Sequence, residues 1–298
     1  MTNRSAAHAE VFQALRPELI ALAYRMLGDL ARAEDIMQEA WLRWQRADVT
    51  PEAPKAYLST IVTRLCLNEL DSARARREDS RSDRLPEPVD LAAGGFAQLE
   101  RLERISMAFL VVLQRLKPVE RAVFLLHEVF DFDHAQIASL VGKSEAACRK
   151  LLERARHEVA LGRRSLSASH AEHQRLLHAF VRAASAGDVE GLVAMLAEDA
   201  ELISDGGPNG RTVGGVRNLT QPLLGAARIA SFVIATSARA ADLDVREHEL
   251  NGQPAMVFWR GQEPFAALLL AVEGGKISRV FFHADLARLG HLGARENH

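Results

Sequence analysis

Lys143, Arg149, Lys150 and Arg156 bring four cations to the stretch Asp131–Arg156, with Ser144, Glu145 and the small Ala146 among them. Ammonium and guanidinium groups so placed can donate to phosphate oxygens or to guanine edges. This is the chemistry of holding a nucleic acid, with no bond made or broken. The groups able to move protons lie elsewhere. Asp205 or Asp285, with His283, could supply the carboxylate general base of a cyclase or isomerase, but no acid–base pair stands at helical or cross-strand spacing. Asp205, Asp285, His283 and Trp259 are candidates for lining a small-molecule cavity; each also fits an ordinary rim or surface position. Cys66 and Cys148 sit far apart in apolar helical patterns, which suits buried thiols and neither a disulfide framework nor a metal site. No cofactor is expected.

The cations need a frame, and the residues around them supply one. Ile137, Leu140 and Val141 make an apolar stripe at helical spacing. Gly142 can take a left-handed turn, and Ser144 can cap the next helix. On that helix Cys148, Leu151, Leu152 and Ala155 face inward, leaving Lys143, Ala146, Arg149, Lys150 and Arg156 outside or on the flanks. A buried first helix and a second with a small, basic outer face make a helix-turn-helix, whose second helix fits the major groove. A helical hairpin with a solvated basic face is the plainer alternative.

The chain has 298 residues, 48% of them hydrophobic, and a formal net charge of −2. That length suggests two or three compact units. Arginine crowds the segments 64–84 and 149–164, and a local basic stripe matters more for nucleic acid than the whole-chain balance. The first residues lack the apolar core of a signal peptide, and no apolar run approaches a membrane span. A cytoplasmic protein without membrane association is expected.

From Ala9 to about Arg77 the pattern is helical. A first helix breaks at Gly28-Asp29. A second, from Ala31, turns Ala33, Ile36, Met37, Ala40, Trp41 and Trp44 inward, with Glu34, Asp35, Gln38, Glu39 and Arg43 opposite. A proline-containing loop at 48–54 follows. A third helix, Ala56–Ser72, has Tyr57, Leu58, Ile61, Val62, Leu65 and Leu70 on its apolar side and Thr60, Arg64 and Asn68 outside. Arg74, Arg76 and Arg77 follow it.

LAYRMLGDLARAEDIMQEAWLRW, then AYLSTIVTRLCLNEL and an arginine-rich tail, resembles region 2 of an extracytoplasmic-function sigma factor, and the helix-turn-helix resembles region 4 of that family. The resemblance implies a protein that brings core RNA polymerase, through its beta and beta-prime subunits, to promoter DNA. Asp35, Gln38, Glu39, Arg43 and Trp44 would then dock on core polymerase, mixed charge around an aromatic anchor. Lys55, Arg64, Asn68, Arg74, Arg76 and Arg77 would follow the backbone of the melted −10 strand. Lys143, Ser144, Glu145, Ala146, Arg149, Lys150 and Arg156 would read the −35 element.

Residues 78–95 read as a polar, proline-containing linker, and region 4 as 96–162. Leu85, Pro86, Glu87 and Pro88 spell a motif of sigma factors that carry an extra C-terminal domain, with Arg84 where those relatives place a tryptophan. After a second linker, 163–172, the period changes. Helices at His173–Ala186 and Val189–Leu196, with Asp188 as an N-cap, lead to a strand at Glu201–Ser204 and a helix within Asn218–Ile234, with Pro222 near its start. Strands at Asp242–Leu250, Ala255–Arg260, Phe265–Val272 and Ile277–His283 follow. Asn251-Gly252 and Gly274-Gly275 are hairpin signals. Residues 173–293 resemble a SnoaL-like, NTF2-like cone of the SigJ-like or ECF41 group. The resemblance makes Leu85–Pro88, Asp205, Gly206, Gly207, His283 and Asp285 regulatory contacts. The expected architecture is multidomain: two all-α sigma modules, region 2 (1–77) and region 4, then an α+β cone. A small-molecule or protein effector acting on the cone is a further expectation, as is a monomer when free. Two other readings stay open: a helix-turn-helix regulator with a ligand-sensing domain, and a SnoaL-type cyclase or isomerase fused to a DNA-binding region.

Overall fold

The computed structural model describes residues 2–46, 53–75, 84–90, 106–163, 168–207, 212–213, 216–217, 219, 221–238 and 242–292. The chain divides into two compact units. One comprises residues 1–80, 95–103 and 110–161, the other 81–94, 104–109 and 162–298.

The first unit is helical: α1 (Thr2–Leu27), α2 (Leu30–Gln45), α3 (Pro54–Ala75), most of α4 (Met107–Arg115), α5 (Pro118–Glu128), α6 (His134–Val141) and α7 (Glu145–Arg163). Gly28, at φ 68°, ends α1, and Asp29 caps α2 by accepting the Arg32 amide at 3.0 Å. Such a cap is worth about 1 kcal/mol. Leu22, Ala23, Met26, Ala33, Ala40, Leu58 and Val62 are fully buried where α1–α3 pack. Pro118 opens α5, where its missing N–H costs no helical bond. Asp133 and Gln136 form a reciprocal capping box at the start of α6. The turn to α7 uses the left-handed backbone expected of Gly142, φ 65°, and Ser144 Oγ accepts the Ala147 amide at 3.2 Å.

The second unit packs helices on a six-stranded sheet. Its elements are α8 (His170–Ala186), α9 (Val189–Met195), β1 (Leu196–Asp205), the short β2 (Thr212–Val213), β3 (Val216–Arg217) and β4 (Leu223–Leu224), then α10 (Ala226–Ser237). They are followed by β5 (Asp244–Leu250), β6 (Gln253–Arg260), β7 (Glu263–Glu273), β8 (Lys276–His283) and α11 (Leu286–Leu289). The sheet order is β4-β1-β8-β7-β6-β5, parallel between β1 and β8 and antiparallel elsewhere, while β2 and β3 pair separately. Asn251-Gly252 turns β5 into β6 with both residues at positive φ, as a two-residue hairpin requires. Leu176, Leu177 and Phe180 of α8, Ile229 of α10 and Leu268, Leu270 and Val280 of the sheet form the core. Free Cys66 and Cys148 are both buried, and burial pushes both thiols above the ordinary range.

Several boundaries differ from the sequence pattern. The helix α8 starts at His170, inside the expected second linker, because Ser169 Oγ accepts the Glu172 amide and caps it. Pro222 stands ahead of β4, outside α10, which begins only at Ala226. Tyr57, expected on the apolar side of α3, is exposed although its ring lies 5.8 Å from that of Trp44. Residues 84–90, expected as a spacer, are packed in the second unit, with Leu85 through Val89 buried. Charge and proline content suggested solvent, but a short segment can be buried when its polar atoms find partners in the unit that receives it.

Candidate nucleic-acid interface and linker clasp

On α2, Asp35, Gln38 and Arg43 are exposed and Glu39 half-buried, with an Arg43–Glu39 pair at 2.9 Å. Trp44 does not belong to this face. It is fully buried, its Nε1 donates to the His8 carbonyl at 2.9 Å, and its ring packs on those of His8 and Tyr57. One helical step from Trp41 to Trp44 decided the matter, and period alone could not separate the two. The apolar group on the outer face is Leu42, 44% exposed. It lies three and four residues from Glu39 and Gln38, so all three share one side. Sequence reading missed it because a leucine in an amphipathic helix defaults to the core.

On α3, Arg64 and Asn68 are exposed, and Lys55 pairs with Glu18 at 2.7 Å. Arg64 points its guanidinium at the Ser139 and Leu140 carbonyls near the end of α6, both at 3.5 Å. The Arg74 side chain, Arg76 and Arg77 lie outside what the structure describes.

Arg121 of α5 is buried among carbonyls. It donates to the Met26 carbonyl of α1, to Gln114 Oε1 at 2.8 Å, and to the Gln114 and Leu116 carbonyls at 3.1 and 3.3 Å. Burial lowers its pKa to about 10, so it stays charged at neutral pH. No helical pattern marks such a residue in advance.

The second helix of the helix-turn-helix exposes Lys143, Ser144, Glu145, Ala146, Arg149, Lys150 and Arg156. Three cations of α7 have carboxylate partners, Arg154 reaching Glu120 of α5 at 3.2 Å. Arg149 pairs with Glu145 at 2.8 Å, and Arg156 with Glu128 of α5 at 2.6 Å. Burial works against the charge of Glu128, but Arg156 and His127 outweigh it and hold that carboxyl below its ordinary value. Lys143 and Lys150 have no such pair among the described residues.

The regulatory candidates converge in the second unit. Asp205, at the end of β1, accepts the Leu85 amide on Oδ2 at 3.2 Å and the Gly207 amide on Oδ1 at 2.9 Å. Arg288 donates to the Leu85 carbonyl at 2.5 Å and comes within 3.9 Å of Asp205. Arg84 donates to Asp285 Oδ2 at 3.0 Å, while Asp285 Oδ1 accepts the Ala287 amide to cap α11. The residue that precedes the Leu85–Pro88 motif is thus held by an ion pair. Further along, Asn251 Oδ1 accepts the Val89 amide at 3.1 Å and the Asn251 amide donates to the Val89 carbonyl at 2.7 Å. His291 meets Glu87 at 3.2 Å. Pro86 and Pro88 are buried between these anchors and have no N–H to satisfy. Gly207, at φ 80°, would bring an added Cβ to 2.9 Å from the Asp285 carboxyl carbon, so only glycine fits. Gly206 is half-buried beside it.

Burial raises the pKa of Asp205, opposed by the Gly207 amide and by Arg288 and Arg84. His283 stands opposite Asp205 in the β1–β8 register. Burial, assisted by the Arg288 charge, lowers its pKa to about 3, so it is neutral.

The expected cavity lining is a correction. The apolar cavity of the second unit takes Leu202 and Ser204 from β1 and Val280 and Phe282 from β8. Side chains alternate along a strand, so Asp205 and His283 belong to the opposite face. Asp285 and Trp259 do not line it either; Trp259 is buried with Arg246 over its ring at 4.9 Å. Asn251 and Arg288 were missed in the sequence. The first was visible only as a turn residue, and the second had no pattern.

The family model of sigma-70 region 2 matches residues 11–76, and that of sigma-70 region 4 matches residues 106–159. The ECF RNA polymerase sigma factor SigJ of Mycobacterium tuberculosis is 40% identical over 210 residues, covering 69% of this chain and 67% of the relative. SigI of the same organism, described as a probable ECF RNA polymerase sigma factor, is 31% identical over 287 residues, 95% of each chain. The chain belongs to the ECF sigma factors of RNA polymerase. The crystal structure of the M. tuberculosis sigma factor SigJ superposes with a TM-score of 0.73 at 28% identity, over 96% of this chain and 99% of that one. The likeness to that ECF sigma factor therefore extends past the two sigma regions through the α+β unit. No helix of the described residues is long and apolar enough to cross a membrane.

Proposed function

We propose that this sigma factor directs core RNA polymerase to its promoters under the control of its α+β unit, which acts by gripping residues 84–90. In this reading the α2 face, with Leu42 as its apolar centre among Asp35, Gln38, Glu39 and Arg43, docks on core polymerase. Exposed Arg64 and Asn68, with the arginines that follow α3, track the −10 strand. The α7 face enters the −35 major groove, Lys143 and Lys150 serving first because Arg149 and Arg156 must leave carboxylates to do so. Free sigma holds Arg64 against the α6 carbonyls, so promoter engagement exchanges those neutral acceptors for phosphates.

The observation that supports control through the clasp is the double anchoring of the Leu85–Val89 backbone by Asp205, Arg288 and Asn251. Residues 84–90 lie between the two sigma regions in sequence, so whatever fixes them limits how those regions can be arranged. Occupancy of the clasp sets activity only by favouring one arrangement over another.

The test is run-off transcription with purified core polymerase. Asp205→Asn keeps the size of the side chain but offers one carbonyl oxygen to two amide donors, which costs about 1–3 kcal/mol at the clasp. Trypsin cleavage after Arg84 is expected to accelerate, and specific initiation to shift several-fold from the wild type. Unchanged transcription alongside faster cleavage rejects control through this segment, and specific initiation by core polymerase that is equal with and without the chain rejects the sigma role.

A further inference from the structure

The face of the sheet opposite the clasp borders a partly open cavity of about 110 Å³. Phe180, Phe232, Phe258, Phe265 and Phe282 contribute aromatic rings to it, and among the described residues no carboxylate, amine, guanidinium or imidazole lines it. Phe232, Phe258 and Phe282 sit among the core residues yet remain half-exposed, because they face this space. The hydroxyls of Thr236 and Ser237 are bonded to helix carbonyls. That of Ser204 is not: the residue is 8% exposed, lines the cavity, and has no hydrogen-bond partner among the described residues.

We infer that the cavity is a binding site for an uncharged, compact aromatic molecule with one hydrogen-bonding group, which Ser204 receives. Five aromatic rings favour a planar apolar ligand through offset and edge-on contacts. A charged ligand would lose its hydration with nothing to replace it. The Ser204 hydroxyl, which opens onto an otherwise apolar wall, can pair with a single polar atom on the ligand. The site shares strands with the clasp: Ser204 precedes Asp205, and Phe282 precedes His283, which stands opposite Asp205. Filling the cavity therefore bears on the two strand ends that hold Leu85. This regulatory consequence rests on the clasp reading above; the binding itself does not.

Calorimetric titration of the full chain with 1-naphthol, and with 1-naphthoate as its charged counterpart, tests the site. One molecule of 1-naphthol is expected per chain, at least tenfold tighter than 1-naphthoate. Ser204→Ala should weaken 1-naphthol several-fold and leave naphthalene unchanged, and Ser204→Leu should exclude both. Equal affinity for the charged compound, or undiminished 1-naphthol binding in both variants, overturns the proposal. Amide hydrogen exchange at Leu85 and Val89 should change on saturation with 1-naphthol; unchanged exchange overturns the coupling to the clasp. Binding of 1-naphthol together with transcription indifferent to Asp205→Asn leaves the site standing and removes the clasp reading. Absent binding with an altered Asp205→Asn transcript does the reverse.

Discussion

Asp205 and His283 face one another across a parallel strand pair, and protons act on them in opposite directions. Burial raises the Asp205 pKa, so protonation relieves a cost as pH falls toward the ordinary carboxylate range. His283 is held neutral with its pKa lowered to about 3 from 6.5. The unfolded chain binds that proton between pH 6.5 and 3 while the folded chain refuses it, so stability is lost as pH falls below 6.5. The slope approaches about 1.4 kcal/mol per pH unit, or roughly 2 kcal/mol by pH 5. His283→Phe should flatten the loss of urea stability between pH 7 and 5, and an identical acid slope in that variant would show that another group carries it. Asp205 and His283 were legible in the sequence as candidates; their facing away from the cavity was not, because it depends on β1 pairing in parallel with the last strand.

Helices were the most readable elements, and the reason is local. Gly28, Asp29, Pro118, Asp133, Gly142 and Ser144 each act within one turn of where they stand, so caps and breaks could be placed from spacing alone. Residues that join elements distant in sequence could not, and Arg121 is the clearest. It fastens the end of α1 to α5, and so ties region 2 to region 4 within the first unit. Arg121→Met would leave the Met26, Gln114 and Leu116 carbonyls without their donor, a loss of about 2–4 kcal/mol by the usual cost of stranded buried acceptors. Arg121→Lys should recover only part of it, since an ammonium cannot span that fan of acceptors. Denaturant midpoints of the two variants check this; a Met variant as stable as the wild type would mean that the carbonyls are satisfied otherwise. At α7 the matching question is which cations are at liberty. Glu128→Ala releases Arg156, so the salt dependence of promoter binding by holoenzyme should steepen by about one counterion. An unchanged slope would place Arg156 away from the phosphates.

Across the whole molecule, the sequence order of the domains misleads about which residues belong together. Residues 84–90 precede region 4, yet they pack with an α+β unit that begins only after it. Their partners Asp205, Asn251 and Arg288 are spread over more than eighty positions, and no local pattern announces such a contact. Met107, at the start of α4, is also fastened to this unit, its amide donating to Gln253 Oε1 at 3.1 Å. Removal of everything after Arg163 therefore does two things at once: it frees the segment and strips cover from Leu85 and Val89, each worth about 1.5–3 kcal/mol of burial. Clasp variants in the full chain do only the first. The truncated chain should bind an anionic dye such as 8-anilinonaphthalene-1-sulfonate strongly, while Asn251→Ala should not, although both release the segment to trypsin. If transcription follows release of the segment, the two proteins should shift initiation in the same direction. If it follows the bulk of the α+β unit, only the truncation should change the transcript, and Asn251→Ala should match the wild type.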